Sequence, residues 1–385
     1  MSRRHWLFLK SLALALALTI CFGLLSVSSK AQTRSSDAKQ SLLQVHLSQG
    51  NCLKEGLLED LQAPPIPING KPLAVTVRMH IDEIPDISST QDNFTVNGVL
   101  AAAWCDSRLA ASLLPHEQER VYAQEAAGDF LTEHWDPQIT FANELGASEG
   151  DDLMVSVHRS GVVEFRRRAL VKLQSNFDLQ RFPFDHQTLE LNIQSFAWDD
   201  RVLRVSDLSS LSLSNHYDIP EWRLERVQSS IGPFKDPDHD RSPFSRLHVG
   251  ILVERQSEFY LYKIFAPLAV LTFTSIFFLA IPIDNMGDRV AFVSGLLFTN
   301  LAYQLIIASS VPKVPYFTLG DRYTLFLFFF MVVEVFIAYG MALITRLGVA
   351  SGPLTPSKIE AGFEISLPIV FVLVHVWFLS MLHHG

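Results

Sequence analysis

Between residues 288 and 311 an apolar run carries Ala291, Gly295, Phe298, Ala302 and Leu305 at steps of three and four. That spacing puts the five on one face of a helix. The small side chains would leave room along that face, and Phe298 would narrow it to an apolar constriction that closes by dewetting. Small residues equally permit close helix contact. A rival face carries Asn300 and Gln304, four apart, and polarity alone would turn that side toward water. Asp284 and Asp288 stand at the start of the run, beside an Arg289 with which Asp288 could pair. Glu334 sits inside another apolar run, where an ionisable side chain is costly and points to function. A carboxyl that merely hydrogen-bonds a neighbouring helix reads equally well. No nucleophile–base motif, phosphate loop, basic tract or Cys/His cluster appears, so no enzyme, cofactor, metal or nucleic-acid partner is expected.

These residues need a frame. Four segments, at about 260–283, 288–311, 321–345 and 364–382, each approach the roughly 20 apolar residues that cross a bilayer. Nearer the start, Arg3, Arg4 and Lys10 precede the apolar run Ser11–Val27, and Ser29-Lys30-Ala31 offers a cut site. This order predicts a signal peptide over 1–31, a retained anchor being the alternative. Its removal would place a large N-terminal domain outside the cell membrane or in the periplasm, with four spans returning the C-terminus to that side. Lys and Arg between the spans are too few to fix orientation by themselves.

The formal charge of −9 is unevenly spread. Without Arg3, Arg4, Lys10 and Lys30, 27 basic residues face 40 acidic ones, while residues from 259 onward hold six of each. The excess therefore lies in the exported domain. An acidic vestibule would concentrate cations, and a solvated acidic surface explains the charge as well. Cys52 and Cys105 would remain after signal removal and could pair in an oxidising compartment; the sequence leaves this open.

Residues 32–72 read as an extension or linker that ends in Ala63-Pro64-Pro65-Ile66-Pro67. From Leu73 the period becomes two: Val75, Val77, Met79 and Ile81 alternate with polar neighbours. Further short strands are predicted at Phe94–Val96, Leu153–Val157, Val162–Val171, Thr188–Ile193, Trp222–Val227 and Leu247–Val253. Asn97-Gly98, Ser160-Gly161 and Gly232-Pro233 read as turns between them. An all-β sandwich or barrel over 73–258 follows, with a transmembrane domain over 259–385.

The run Phe177-Asp178-Leu179-Gln180-Arg181-Phe182-Pro183-Phe184-Asp185-His186-Gln187 resembles the loop that names the Cys-loop receptors, the pentameric ligand-gated ion channels. Ser175 and Leu189 stand where eukaryotic members have the bracketing cysteines, as in the bacterial type. Trp104-Cys105-Asp106-Ser107-Arg108-Leu109, Trp135-Asp136-Pro137, Pro312-Lys313-Val314-Pro315-Tyr316 and Val333-Glu334-Val335 resemble further family motifs in the same order. The resemblance covers about 73–382. It implies an extracellular sandwich of about ten strands on a four-helix transmembrane bundle, five copies forming a homopentameric ring in membrane lipid.

The resemblance also implies roles. Counted back from Pro312, the second span turns Ala291, Gly295, Phe298, Ala302 and Leu305 to the pore and Asn300 and Gln304 to neighbouring helices. Asp288 and Asp284 would select monovalent cations, since rings of carboxylates do so. Ligand-binding candidates are Phe141, Glu144, Phe196, Trp198, Phe234 and Phe244, because animal relatives hold a cation against ring faces. Ala142 and Val99 replace expected aromatics, so an ammonium is one option for the agonist and protons are another. Glu334, Asp92 and His186 are the proton-sensing candidates, although proton-gated relatives carry a histidine where Asn300 stands. Pro183, Phe184, Asp185, Arg255, Pro312 and Lys313 would couple the signal to the gate. The function implied is a ligand- or proton-gated, cation-selective channel; the alternative is a non-conducting membrane receptor or sensor with a periplasmic β-domain.

Overall fold

The computed structural model describes residues 52, 60–65, 70–146, 149–206, 211–213, 219–235, 242–282, 284–310, 313–347 and 356–383. The expected signal peptide, most of the 32–72 extension, and Pro312 lie outside them. The chain divides into two compact units: Arg34–Phe177 with His186–Glu254, and Asp178–Asp185 with Arg255–Gly385.

The first unit is a β-sandwich. Its eleven described strands are β1 (Leu73–Ser88), β2 (Asn93–Cys105), β3 (Glu119–Ala123), β4 (Ile139–Phe141), β5 (Glu149–His158), β6 (Val162–Gln174), β7 (His186–Ser195), β8 (Leu203–Ser206), β9 (Leu211–Leu213), β10 (Trp222–Phe234) and β11 (Phe244–Arg255). One sheet runs β3-β5-β6-β2-β1-β8 with β9 also paired to β1, and the other runs β10-β11-β7-β4. Every second residue points inward, so Val75, Val77, Met79 and Ile81 of β1 meet Leu189, Leu191 and Ile193 of β7 and Val249 and Ile251 of β11 in one buried core.

Two expected turns prove to be strand interior. Asn97-Gly98 lies within β2 and Gly232-Pro233 within β10, whereas the β1–β2 reversal falls after Ser88. Gly98 pairs with Ile81, and a Cβ there would stand 2.2 Å from the His80 carbonyl oxygen. The glycine therefore serves a close backbone approach rather than a reversal. Gly161 does occupy a turn, at φ +87°, beside Ser107 and Cys52. There Cys52 and Cys105 form a disulfide across 53 residues.

Two short helices decorate the sandwich, α1 (Ser107–Ala110) and α2 (Glu125–Glu133). Asp106 caps α1 and binds Arg108 at 2.8 and 2.7 Å, while Arg108 also reaches the carbonyls of Asp60 and Ala63. The Trp104–Leu109 motif thus acts as a staple, tying the strand end to the preceding segment.

The helical unit contains α3 (Glu258–Ala280), α4 (Met286–Ser310), α5 (Leu319–Arg346) and α6 (Pro356–His383). α3 has a π-helical turn at Leu261–Phe265 and tightens to 3-10 geometry at Ile276–Ala280. α5 opens with a reciprocal capping box between Thr318 and Asp321, and α6 begins eight residues before the expected span. All four share an apolar core that includes Phe273, Phe278, Val293, Phe330 and Phe371. Among the described residues, α3, α5 and a Ser357–Phe378 stretch of α6 are long and apolar enough to cross a membrane.

Candidate functional site

α4 is two-sided. Ala291, Gly295, Phe298, Ala302 and Leu305 are all exposed in the single chain, Phe298 and Leu305 at 70% each. The rival face is turned inward: Val293 and Asn300 are fully buried. Gln304 donates to the Asn300 carbonyl oxygen at 3.0 Å and to the Thr324 backbone carbonyl at 3.3 Å. These bonds tie α4 to itself and to α5, while the buried Asn300 amide nitrogen has no partner. The apolar stripe, by contrast, has no covering element among the described residues.

Below that stripe, Asp284 and Asp288 are exposed. Arg289 makes no bond to Asp288; it pairs with Glu360 of α6, 71 residues away. Sequence reasoning missed Glu360 because nothing local marks it.

Glu334 is fully buried on α5 and accepts a hydrogen bond from Ser275 of α3, while its other oxygen has no partner. The single Ser275 hydroxyl proton is shared between Glu334 and the Thr272 carbonyl. The carboxyl therefore ties α5 to α3.

The Asp178–Asp185 segment is bound into the helical unit. Arg255 Nε and Nη2 donate to the two Asp185 carboxylate oxygens at 2.8 and 3.2 Å, with both side chains buried. Arg255 also lies 5.0 Å from the Phe182 ring centre, and Phe182 meets Tyr260 edge-on at 4.9 Å. Backbone N–H groups of Leu319 and Gly320 donate to the carbonyls of Gln180 and Phe182 at 2.9 and 3.0 Å, and Leu179 N–H donates to the Tyr316 hydroxyl at 3.0 Å. Phe184 contacts Phe378 of α6, and the Phe182–Pro183 peptide is cis. Lys313 is exposed. The buried Asp185–Arg255 pair is thus the centre of a network that reaches Tyr316 and the start of α5.

The aromatic candidates of the sandwich do not gather. Phe141 and Phe244 are buried. Trp198 packs on Trp135 at 5.9 Å and donates its indole N–H to the Asp136 carbonyl at 2.9 Å. Phe196 is 76% exposed, and the Phe234 face is covered by the Arg246 guanidinium at 3.2 Å. A guanidinium already on that ring disfavours a second cation there. Glu144 is held by a backbone bridge to Leu173.

Two titratable groups were foreseen in the sandwich. His186 faces the Glu225 carboxylate at 3.1 Å, half exposed, and Asp92 sits at φ +52° in the β1–β2 reversal. A third was not foreseen: burial pushes the Asp136 carboxyl above the usual aspartate range, opposed by the Gln138 N–H. Asp199 is held below its usual range by hydrogen bonds from Arg201.

A family model described as the neurotransmitter-gated ion-channel ligand binding domain matches residues 52–257, more than half of the chain. The chain is also similar to a proton-gated ion channel of Gloeobacter violaceus, 27% identical over 323 residues that cover 83% of this chain and 86% of that protein.

Proposed function

The chain belongs to the pentameric ligand-gated ion channels, and from that premise we propose that five copies surround a water-filled, cation-conducting pore lined by α4. The observation that carries this reading is the exposed stripe Ala291, Gly295, Phe298, Ala302 and Leu305, opposite a face that is buried and bonded to α5 through Gln304. Five such stripes around an axis would enclose a central path lined by surface that the single chain leaves open. Phe298, the widest side chain of the five, would form the closed gate as a dewetted ring. Asp288, with Asp284 behind it, would give the inner mouth its negative field.

The domains then act as a receiver and a gate. A sandwich over 73–258 takes the stimulus outside the cell, the spans of 259–385 carry the ions, and 1–31 is removed on export. The route between them is the chain itself. β6 leads into Asp178–Asp185, which is bonded to Arg255 just before α3, to Tyr316 and to the first residues of α5, and then returns as β7. A shift of that segment would move the outer end of α4 through Asp185, Arg255, Pro183, Phe184 and the Pro312-Lys313 loop.

Protons are the favoured stimulus. The similar Gloeobacter protein is a proton-gated channel, this sandwich carries an acidic excess, and the Phe234 ring is already occupied by Arg246. Acid would be sensed by the His186–Glu225 pair, Asp92, and Glu334 within α5. An exposed Phe196 keeps a small-molecule agonist as the second reading.

Full-length protein reconstituted in liposomes tests this. An external acid step should start cation flux that follows the imposed gradient. No flux under acid, amines or amino acids would reject the channel reading in favour of a non-conducting sensor.

A further inference from the structure

α4 begins with two opposite charges side by side and sends them to opposite sides. Asp288 is exposed and lies three and seven residues before Ala291 and Gly295, so it continues their stripe. Arg289 is 1% exposed and lies four and eleven residues before the buried Val293 and Asn300, so it falls on the packed face. Its Nε donates to the Ile281 carbonyl at 2.7 Å, and its Nη2 donates to the carbonyls of Ile281 and Leu279 and to the Glu360 carboxylate. The carbonyls belong to the C-terminal end of α3, whose partial negative charge suits a cation. Glu360 projects from the start of α6 and supplies the full counter-charge.

That counter-charge is not incidental. Arg289 stands at the positive end of α4, where a cation is disfavoured, and a buried guanidinium without an anion is strongly unfavourable. Asp288 would be the nearest replacement partner, its Cα only about 3.8 Å along the chain. Glu360 therefore competes with Asp288 for the same guanidinium, and in the structure Glu360 holds it. Other charges nearby are Asp284 and Lys358, both exposed.

We propose that Glu360 is a positioning residue for ion selectivity: by holding Arg289 off α4's exposed face, it leaves Asp288 as the charge a permeating ion meets. This rests on the channel reading above. With Glu360 present, two carboxylates and one guanidinium leave one net negative charge per subunit at this mouth. With it neutralised, Arg289 cancels Asp288.

The test uses the full chain in bilayers, opened by an acid step, with reversal potentials read in a sodium chloride gradient. Glu360→Gln should lower the cation-to-anion permeability ratio by about tenfold, the scale of one added unit charge roughly 10 Å from the ion path at an effective dielectric near 20. Glu360→Asp should keep the wild-type ratio. Arg289→Gln combined with Glu360→Gln should restore it, which a merely structural loss at Glu360 would not do. That double variant also serves if Glu360→Gln alone assembles poorly. A Glu360→Gln or double-variant result that departs from this order, with wild type cation-selective and Asp288→Asn shifted, overturns the role of Glu360 alone. A wild type without cation preference overturns the selectivity reading and this proposal together.

Discussion

Arg255 grips Asp185 by both carboxylate oxygens, at 2.8 and 3.2 Å, and both side chains are almost wholly buried. Two parallel charge-assisted bonds fix an orientation as well as a distance. They join the end of β11 to the segment that leads into β7, at the point where the chain enters α3.

Breaking that grip should be severe. Removing one partner of a buried ion pair typically destabilises by about 3–5 kcal/mol, because the other charge is stranded. Asp185→Ala is expected to lose stimulus-evoked current while protein still reaches the cell surface. Surface labelling beside whole-cell current checks this; normal evoked current would remove Asp185 from the gating route.

Phe298→Ala should raise resting current. It exchanges the widest group on the exposed stripe for a methyl, and a wider apolar constriction no longer dewets. Single-channel recording without stimulus reads the outcome, and a closed resting channel of wild-type conductance would argue that another residue forms the gate.

Asp288→Asn should move the reversal potential toward that of the anion in a salt gradient. The side chain is exposed and keeps its charge apart from Arg289, so neutralising it removes field rather than a salt bridge. Thermal stability should barely change. A stability loss without a selectivity shift would mark Asp288 as structural.

Asp136 carries the pH prediction. Its folded carboxyl is pushed upward by burial, so the folded state binds a proton more tightly than the unfolded chain. Stability therefore falls as pH rises from the unfolded aspartate range, near about 3.9, through the higher folded value. Asp136→Asn should raise the melting temperature at neutral pH, and the gain should vanish in acid. Asp199 works with the opposite sign: its lowered pKa adds stability above the unfolded range that is lost on acidification. Melting curves across pH for the Asp136 variant decide the sign; a gain that persists in acid contradicts it.

Much of this was legible in the residues. Period-two runs such as Val75 to Ile81 marked the sandwich, and long apolar runs marked the helices, because burial imposes those periods directly. The exposed stripe of α4 was readable from its three- and four-residue steps. What escaped depends on contacts far apart in sequence. Gly98 looked like a turn because its real reason, the His80 backbone, sits on another strand. The guanidinium that covers the Phe234 ring was not foreseen, because it comes from Arg246 on β11. Arg289 looked like a partner for Asp288 because Glu360 lies 71 residues away. Pairing between Cys52 and Cys105 was open for the same reason.

The most direct test of the α4 account replaces single α4 residues by cysteine and applies a water-soluble, charged thiol reagent during current recording. Modification should block current at positions 295, 298, 302 and 305, and spare positions 293 and 300. Block at 293 and 300 with no effect on the exposed stripe would contradict the account.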